Sequence, residues 1–204
     1  MVKLDLTKAF KKYFRATTTP QVITVEKGLY LTITGKGDPD GEGFARSISA
    51  LYGVAYAVKF SNKERGKDFV VCKLEGYWWV EVQGVDPLTV PRSEWHYELA
   101  IMLPDDISRQ QYEAAVDTVV KKKNPLAAQV QLKTIDEGLS VQIMHEGPFK
   151  EEPATLEKLH AYIMNEGYDF NGRHHEIYLS DFRKTAPEKL KTILRHPVKK
   201  RVIV

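Results

Sequence analysis

Apolar and polar residues alternate with a period of two in several short runs, and the stretches between those runs repeat with the period of a helix. After Gly28, Leu29, Leu31 and Ile33 alternate with Tyr30, Thr32 and Thr34. After Gly138, Leu139, Val141 and Ile143 alternate with Ser140, Gln142 and Met144. This alternation predicts strands with one aliphatic and one mixed face. A glycine turn follows each run, and then a helical stripe. The first stripe is Phe44, Ile48, Leu51 and Ala55; the second is Leu156, Leu159 and Ile163, with Gly167 as a C′ residue. A second strand closes each copy, "DFVVCKL" in the first and "HHEIYLS" in the second. Between the copies, "SEWHYELAIMLP" alternates as a strand with Trp95, Tyr97, Leu99, Ile101 and Leu103 on one face. "DDISRQQYEAAVDTVVKKK" predicts a helix, with Ser108 and Gln111 as a capping box, and "QVQLKTI" predicts a strand. Thr185, Pro187 and Glu188, followed by Leu190, Ile193 and Leu194, predict a C-terminal helix. "DLTKAFKKYF" predicts an N-terminal amphipathic helix.

Gly28 to Phe60 and Gly138 to Phe170 align without a gap at an offset of 110 residues (138 − 28), with Gly37 over Gly147 and Tyr52 over Tyr162. The expected fold is therefore α+β: duplicated strand-helix-strand-strand modules related by a pseudo-two-fold, an antiparallel sheet with helices on one side, and a ligand groove between the halves. The expected organisation is an N-terminal helix over residues 1–19 and a single domain over 20–204. Within that domain lie a first repeat at 20–104, a connecting helix at 105–123, a second repeat at 128–182 and a C-terminal helix at 185–195.

"RHHEIYLSD", residues 173–181, is too polar for an ordinary core strand. Strand parity puts Arg173, His175, Ile177 and Leu179 on one face and His174, Glu176 and Tyr178 on the other. The first face suits a core. The second suits the wall of a polar-lined pocket or a solvated sheet face. Aromatic residues for such a pocket are plentiful. Trp78 and Trp79 in "GYWWVE" face opposite ways, so one belongs to the core and one to a groove; Trp95, Tyr97 and Tyr30 are further lining candidates.

Composition narrows the options. A net charge of +3, from 30 basic and 27 acidic residues, gives no clustered basic face for direct nucleic-acid binding. No apolar run is long enough to span a membrane, no signal peptide is evident at the start, and the single cysteine, Cys72, fits a cytoplasmic location. The adjacent His174 and His175 point to opposite faces and cannot chelate one ion together, so no metal is expected. "GKGDPDGEG" lacks the Lys-Ser/Thr ending of a phosphate-binding loop.

The second copy also resembles the GyrI-like small-molecule-binding proteins. The likeness is carried by "GLSVQIMHEGPF", "EEPATLEKLHAYI" and "GRHHEIYLSDFRKTAPEKLKTILRHPV", supported in the first copy by "LEGYWWVE" and "EWHYELAIMLPD". It covers about residues 20 to 198. The resemblance implies a duplicated module around a concave ligand groove, with Glu176 matching a groove glutamate of several members. It also implies kinship with the ligand domains of multidrug-sensing regulators and with a gyrase-inhibitory protein. A stand-alone branch is the nearest in pattern, and some of its members hydrolyse the strained cyclopropane of DNA-alkylating natural products.

These readings predict a small-molecule-binding protein that takes partly apolar or cationic compounds in an aromatic groove around Glu176. It sequesters them or, with Glu176 and Tyr178 catalytic, hydrolyses strained electrophiles without a cofactor. His174, Trp78, Trp79, Trp95, Tyr97 and Tyr30 are the further ligand-binding candidates. The alternative is a protein-interaction or sensor module acting through a separate partner, gyrase-inhibitor-like or regulator-associated, so a protein partner stays open. A carboxylate walled by aromatic rings loses hydration and must find a cation or a donor, or keep its proton. The same residue therefore serves a binder or an enzyme.

Overall fold

A computed structural model describes residues 3–82, 84–85 and 87–202. Among them are four α-helices, α1 (Leu6–Ala9), α2 (Glu42–Glu64), α3 (Arg109–Lys121) and α4 (Glu152–Asn165). The nine strands are β1 (Gln21–Val25), β2 (Gly28–Lys36), β3 (Leu74–Trp79), β4 (His96–Leu103), β5 (Gln131–Ile135), β6 (Gly138–Glu146), β7 (Tyr168–Phe170), β8 (His174–Tyr178) and β9 (Lys191–Lys200). The protein is α+β, and its strand pairs are antiparallel.

The chain divides into two compact units, Met1–Ala9 with Gly28–Ile135, and Phe10–Lys27 with Asp136–Val204. In the first, β3, β4, β2 and β5 lie side by side, α2 packs on β2 and β4, and α3 packs on α2. Leu31, Leu51, Val54, Leu99 and Ile101 are wholly buried there. In the second, the order is β1, β6, β9, β8, with β7 on the far end of β9 and α4 over β6. Its core is Val141, Ile143, Leu159, Ile163, Leu194 and Val198. The Ser108 capping box forms as the sequence predicts, with Ser108 Oγ accepting from Gln111 N and the Gln111 side chain accepting from Ser108 N.

The 110-residue offset extends to β1 and β5, which run from Gln21 and Gln131. Each of these strands precedes its own copy in the sequence but pairs with the long strand of the other copy. β1 pairs with β6, and β5 with β2. The structural units are thus sequence repeats with their leading strands exchanged.

Three expectations need correction. The predicted C-terminal helix is a 3₁₀ turn at Pro187–Lys189 followed by β9. Leu190, Ile193 and Leu194 imitate helical spacing because β9 is buried on both faces from Thr192 to Arg195 and so lacks the alternation of a strand with one solvated face. The N-terminal helix shrinks to α1. Past it, Tyr13 and Phe14 are buried in the second unit, and tertiary burial outweighs helical propensity. The first copy's second strand begins at Leu74 instead of Asp68; Phe69 and Cys72 are buried outside any named strand, and the pairing runs on to Trp79.

Candidate functional site

β8 presents its two faces as strand parity predicts. His175 and Ile177 are fully buried. His175 Nδ1 donates to Glu137, 3.0 Å away, and Arg195 Nη1 donates to the same carboxylate at 3.3 Å. Arg195 also donates to Gln142 Oε1 and, at 2.7 Å, to the Tyr13 carbonyl, with its guanidinium 4.2 Å from the Tyr13 ring centre. Burial works against the charge on Glu137, but His175 and Arg195 outweigh it and hold the acid below its ordinary value. These contacts satisfy one another, so this face of β8 is structural.

The opposite face carries Glu176. Its side chain is 13% exposed. Oε2 accepts from the Tyr178 hydroxyl at 2.7 Å, and Oε1 lies 3.1 Å from His174 Nε2. Both oxygens are oriented, yet each keeps a second lone pair for a water or ligand donor. Tyr178 forms edge-to-face contacts with Phe149 at 5.8 Å and Phe182 at 5.7 Å. His174 packs at 5.0 Å on His196, where burial and the neighbouring histidines hold the imidazole well below its usual pKa.

A second carboxyl meets Glu176. Glu152 begins α4 and is 7% exposed. Its side chain bonds Thr192 of β9, and Oε1 has no hydrogen-bond partner among the described residues. A helix N-terminus ordinarily favours a charged acid. Here burial, then repulsion from Glu176, win and push the Glu152 carboxyl up to about 10, so the pair keeps a proton at neutral pH. The sequence reading missed Glu152, though a signal was present. The residue stands four before Leu156 and heads the stripe Leu156, Leu159, Ile163, so the apolar face of α4 starts with an acid. Thr192, Phe149 and Phe182 were also missed; Thr192 and Phe149 meet partners far off in sequence, and Phe182 lies four residues past Tyr178, just beyond the strand.

The aromatic candidates belong to the first unit. Trp78 stacks on Phe44 at 5.6 Å and meets Tyr97 at 5.8 Å and Trp95 at 6.1 Å. Tyr97 is buried, with its hydroxyl 3.1 Å from Ser47 Oγ, and it occupies space that a side chain at Gly35 would fill. Trp79 points the other way and stacks on His96 at 5.4 Å. Trp78 and Trp79 are both half-buried, and Tyr30 sits in the core at 1% exposure. Strand register shows how the halves diverged. Ile33 faces Leu99, which faces Gly76; its repeat mate Ile143 faces Leu194, which faces Glu176. Gly76 thus stands where the second unit has Glu176, and Trp78 where it has Tyr178. One half keeps the acid, and the other keeps a larger aromatic.

A cleft of about 530 Å³ also opens on the second unit, lined by Thr18, His145, Lys150, Thr155 and Lys158 among others, but neither carboxyl of the pair lines it. Burial and the nearby Glu75 raise the Cys72 thiol far above the range of a nucleophile. Among the described residues, no group of three or more His, Cys, Asp or Glu side chains is placed to hold a metal, and no helix is long and apolar enough to cross a membrane.

A family model of the GyrI-like small molecule binding domain matches residues 18–199. The chain belongs to this family. Among solved structures, an uncharacterized conserved protein from Listeria innocua is 39% identical, with a TM-score of 0.89, and the alignment covers 97% of this chain and 100% of that one. A hydrolase from Listeria innocua is 37% identical, with a TM-score of 0.85 and the same coverage. The EcmrR C-terminal domain shares the fold at 11% identity and a TM-score of 0.58, over 89% of this chain and 98% of that one. No curated protein matches the chain.

Proposed function

We propose that this GyrI-like protein binds a planar or cationic, partly apolar small molecule and hydrolyses it where it carries a strained electrophilic ring such as a cyclopropane. The observation that carries the reading is the Glu176 carboxylate, sheltered from solvent, fixed by Tyr178 and His174, and open at its remaining lone pairs. Similarity along essentially the whole chain to a protein described as a hydrolase supports it.

In this reading Glu176 is the general base that takes a proton from water, a contribution of roughly 10²–10⁴-fold. Tyr178 orients the carboxylate, and His174 fixes its other oxygen. Ring strain supplies driving force, so the chemistry needs no cofactor. Within the first unit, the half-buried rings of Trp78 and Trp95 offer apolar faces, and each ring facing a cation adds about 0.5–2 kcal/mol. A protective role against reactive compounds in the cytoplasm fits this chemistry.

The test incubates a cyclopropane-bearing DNA alkylator with wild type and Glu176→Gln and follows both binding, by tryptophan fluorescence, and product, by mass spectrometry. Binding retained with turnover lost in the variant supports the reading. Multiple turnovers by Glu176→Gln at the wild-type rate would overturn the assignment of the base. Binding by wild type without conversion would leave a binding protein and remove the hydrolysis.

A further inference from the structure

The cleft of the second unit lies apart from the carboxylate pair, and the strand that borders it has an open edge. β1 begins at Gln21, opposite Gln142, so among the described residues β6 continues from Ile143 to Glu146 with no neighbouring strand on that side. The backbone touches this stretch there once, where Met144 N donates to the Thr17 carbonyl at 2.7 Å. Glu146 stands opposite Lys191 of β9, but Lys191 turns both of its backbone groups towards β8. Its N–H donates to Ser180 Oγ at 3.1 Å, and its carbonyl accepts from Leu179 N at 3.0 Å. Directly opposed residues of an antiparallel pair exchange both bonds or neither, so Glu146 points its N–H and C=O outward, as Met144 does. Among the described residues, no backbone bond reaches the Glu146 N–H, the Glu146 C=O or the Met144 C=O. Such an edge is a template for an added strand.

The edge opens onto the cleft of about 530 Å³. His145 faces α4, with its Nδ1 2.9 Å from Thr155 Oγ1, so by strand parity the side chains of Met144 and Glu146 point away from the helix. Those two residues therefore border the cleft along the strand edge. Lys150 and Lys158 line it too; both are exposed, and neither forms an ion pair among the described residues. Two carboxylates also line it. Glu146 is neutralised by Lys191 at 2.7 Å, which leaves Glu151 against the two lysines and the cleft net positive.

We infer that this cleft is the docking site for an extended acidic segment of a partner protein, which pairs with β6 at Met144–Glu146 and sets its carboxylates against Lys150 and Lys158. Main-chain bonds to the edge supply affinity, and the lysines select the charge of the segment. At about 3.3 Å per residue the pairing engages roughly three or four residues of the partner. A small free anion would meet the lysines but leave the three outward backbone groups unused, which is why the occupant is a peptide. The inference is independent of the hydrolytic reading, because neither Glu176 nor Glu152 lines the cleft.

The test selects short random peptides displayed on phage against the full chain, then follows the best synthetic peptide by NMR with isotope-labelled protein. The enriched sequences should be rich in Asp and Glu, and the bound peptide should shift the Glu146 amide and slow its hydrogen exchange. Reversing both charges, Lys150→Glu with Lys158→Glu, should weaken binding about tenfold or more, and added salt should weaken binding to wild type. Both lysines are exposed and unpaired, so the reversal leaves the fold intact. Methylating alternate backbone nitrogens of the peptide, which removes the donors that face the strand, should abolish binding. Glu176→Gln should bind the peptide as wild type does. No enrichment, enriched sequences without acids, or acidic peptides that bind while the Glu146 amide stays unchanged would overturn the inference. Free glutarate binding as tightly as the peptide would overturn it too, and would leave a site for small anions.

Discussion

Replacing Glu152 by Gln should stabilise the protein, and by an amount that depends on pH. The carboxyl has an ordinary value of 4.5 and is raised to about 10 in the fold, mainly by burial and then by Glu176. At acid pH both folded and unfolded chains carry the proton, and the site costs nothing extra. As pH rises through the unfolded value, the unfolded chain releases a proton that the folded chain keeps. Stability then falls by about 1.4 kcal/mol per pH unit until the folded group also ionises. Between about pH 5 and pH 8 the wild type therefore loses up to about 4 kcal/mol on account of this group. The group is 7% exposed, so solvent does little to screen the effect. Glutamine has no proton to retain and escapes this loss. Urea unfolding of wild type and Glu152→Gln at several pH values in that range reads the difference directly. The gap should be small at the acid end and widen steadily towards the alkaline end, in favour of the variant. A gap of constant size, or a variant less stable at the alkaline end, would refute the claim that the folded pair retains a proton.

Other substitutions probe the frame that holds the site. Gly35→Ala should destabilise by about 1–3 kcal/mol, read as a lower Tm, because its Cβ would come 2.4 Å from the Tyr97 ring; an unchanged Tm would show that Tyr97 shifts freely. Glu137→Leu should cost about 3–5 kcal/mol by denaturant unfolding, since it strips the buried Arg195 and His175 of their shared carboxylate. With Glu137 held below its ordinary value, its contribution is present above the unfolded value of 4.5 and is lost as pH falls through the lower folded value, so the penalty of the variant should shrink in acid. Ser108→Ala should cost about 1 kcal/mol through loss of the α3 cap, with no change in ligand binding.

Much of this architecture is legible in the chain. Alternation in β2, β4 and β6, the α2 and α4 stripes and the Ser108 capping box all rest on local periodicity, and all appear in the structure. Parity alone separated the two faces of β8 and placed Glu176 apart from His175. What failed was non-local. β9 reads as a helix because a strand buried on both faces need not alternate. The exchange of β1 and β5 is invisible to an ungapped repeat, since each leading strand still sits at its own repeat's offset. Glu152 was overlooked because an acid in a first helical turn is ordinarily solvated and favoured there; only the tertiary approach of Glu176 and Thr192 makes it unusual.

The most direct test of the central claim is hydrolysis in heavy-oxygen water. A conjugated cyclopropane alkylator is incubated with wild type and with Glu176→Gln, and the product is weighed. The account predicts one heavy oxygen per product molecule, formed over many turnovers by wild type and at no more than a small fraction of that rate by Glu176→Gln. Equal incorporation with both proteins, or none with wild type, would contradict it.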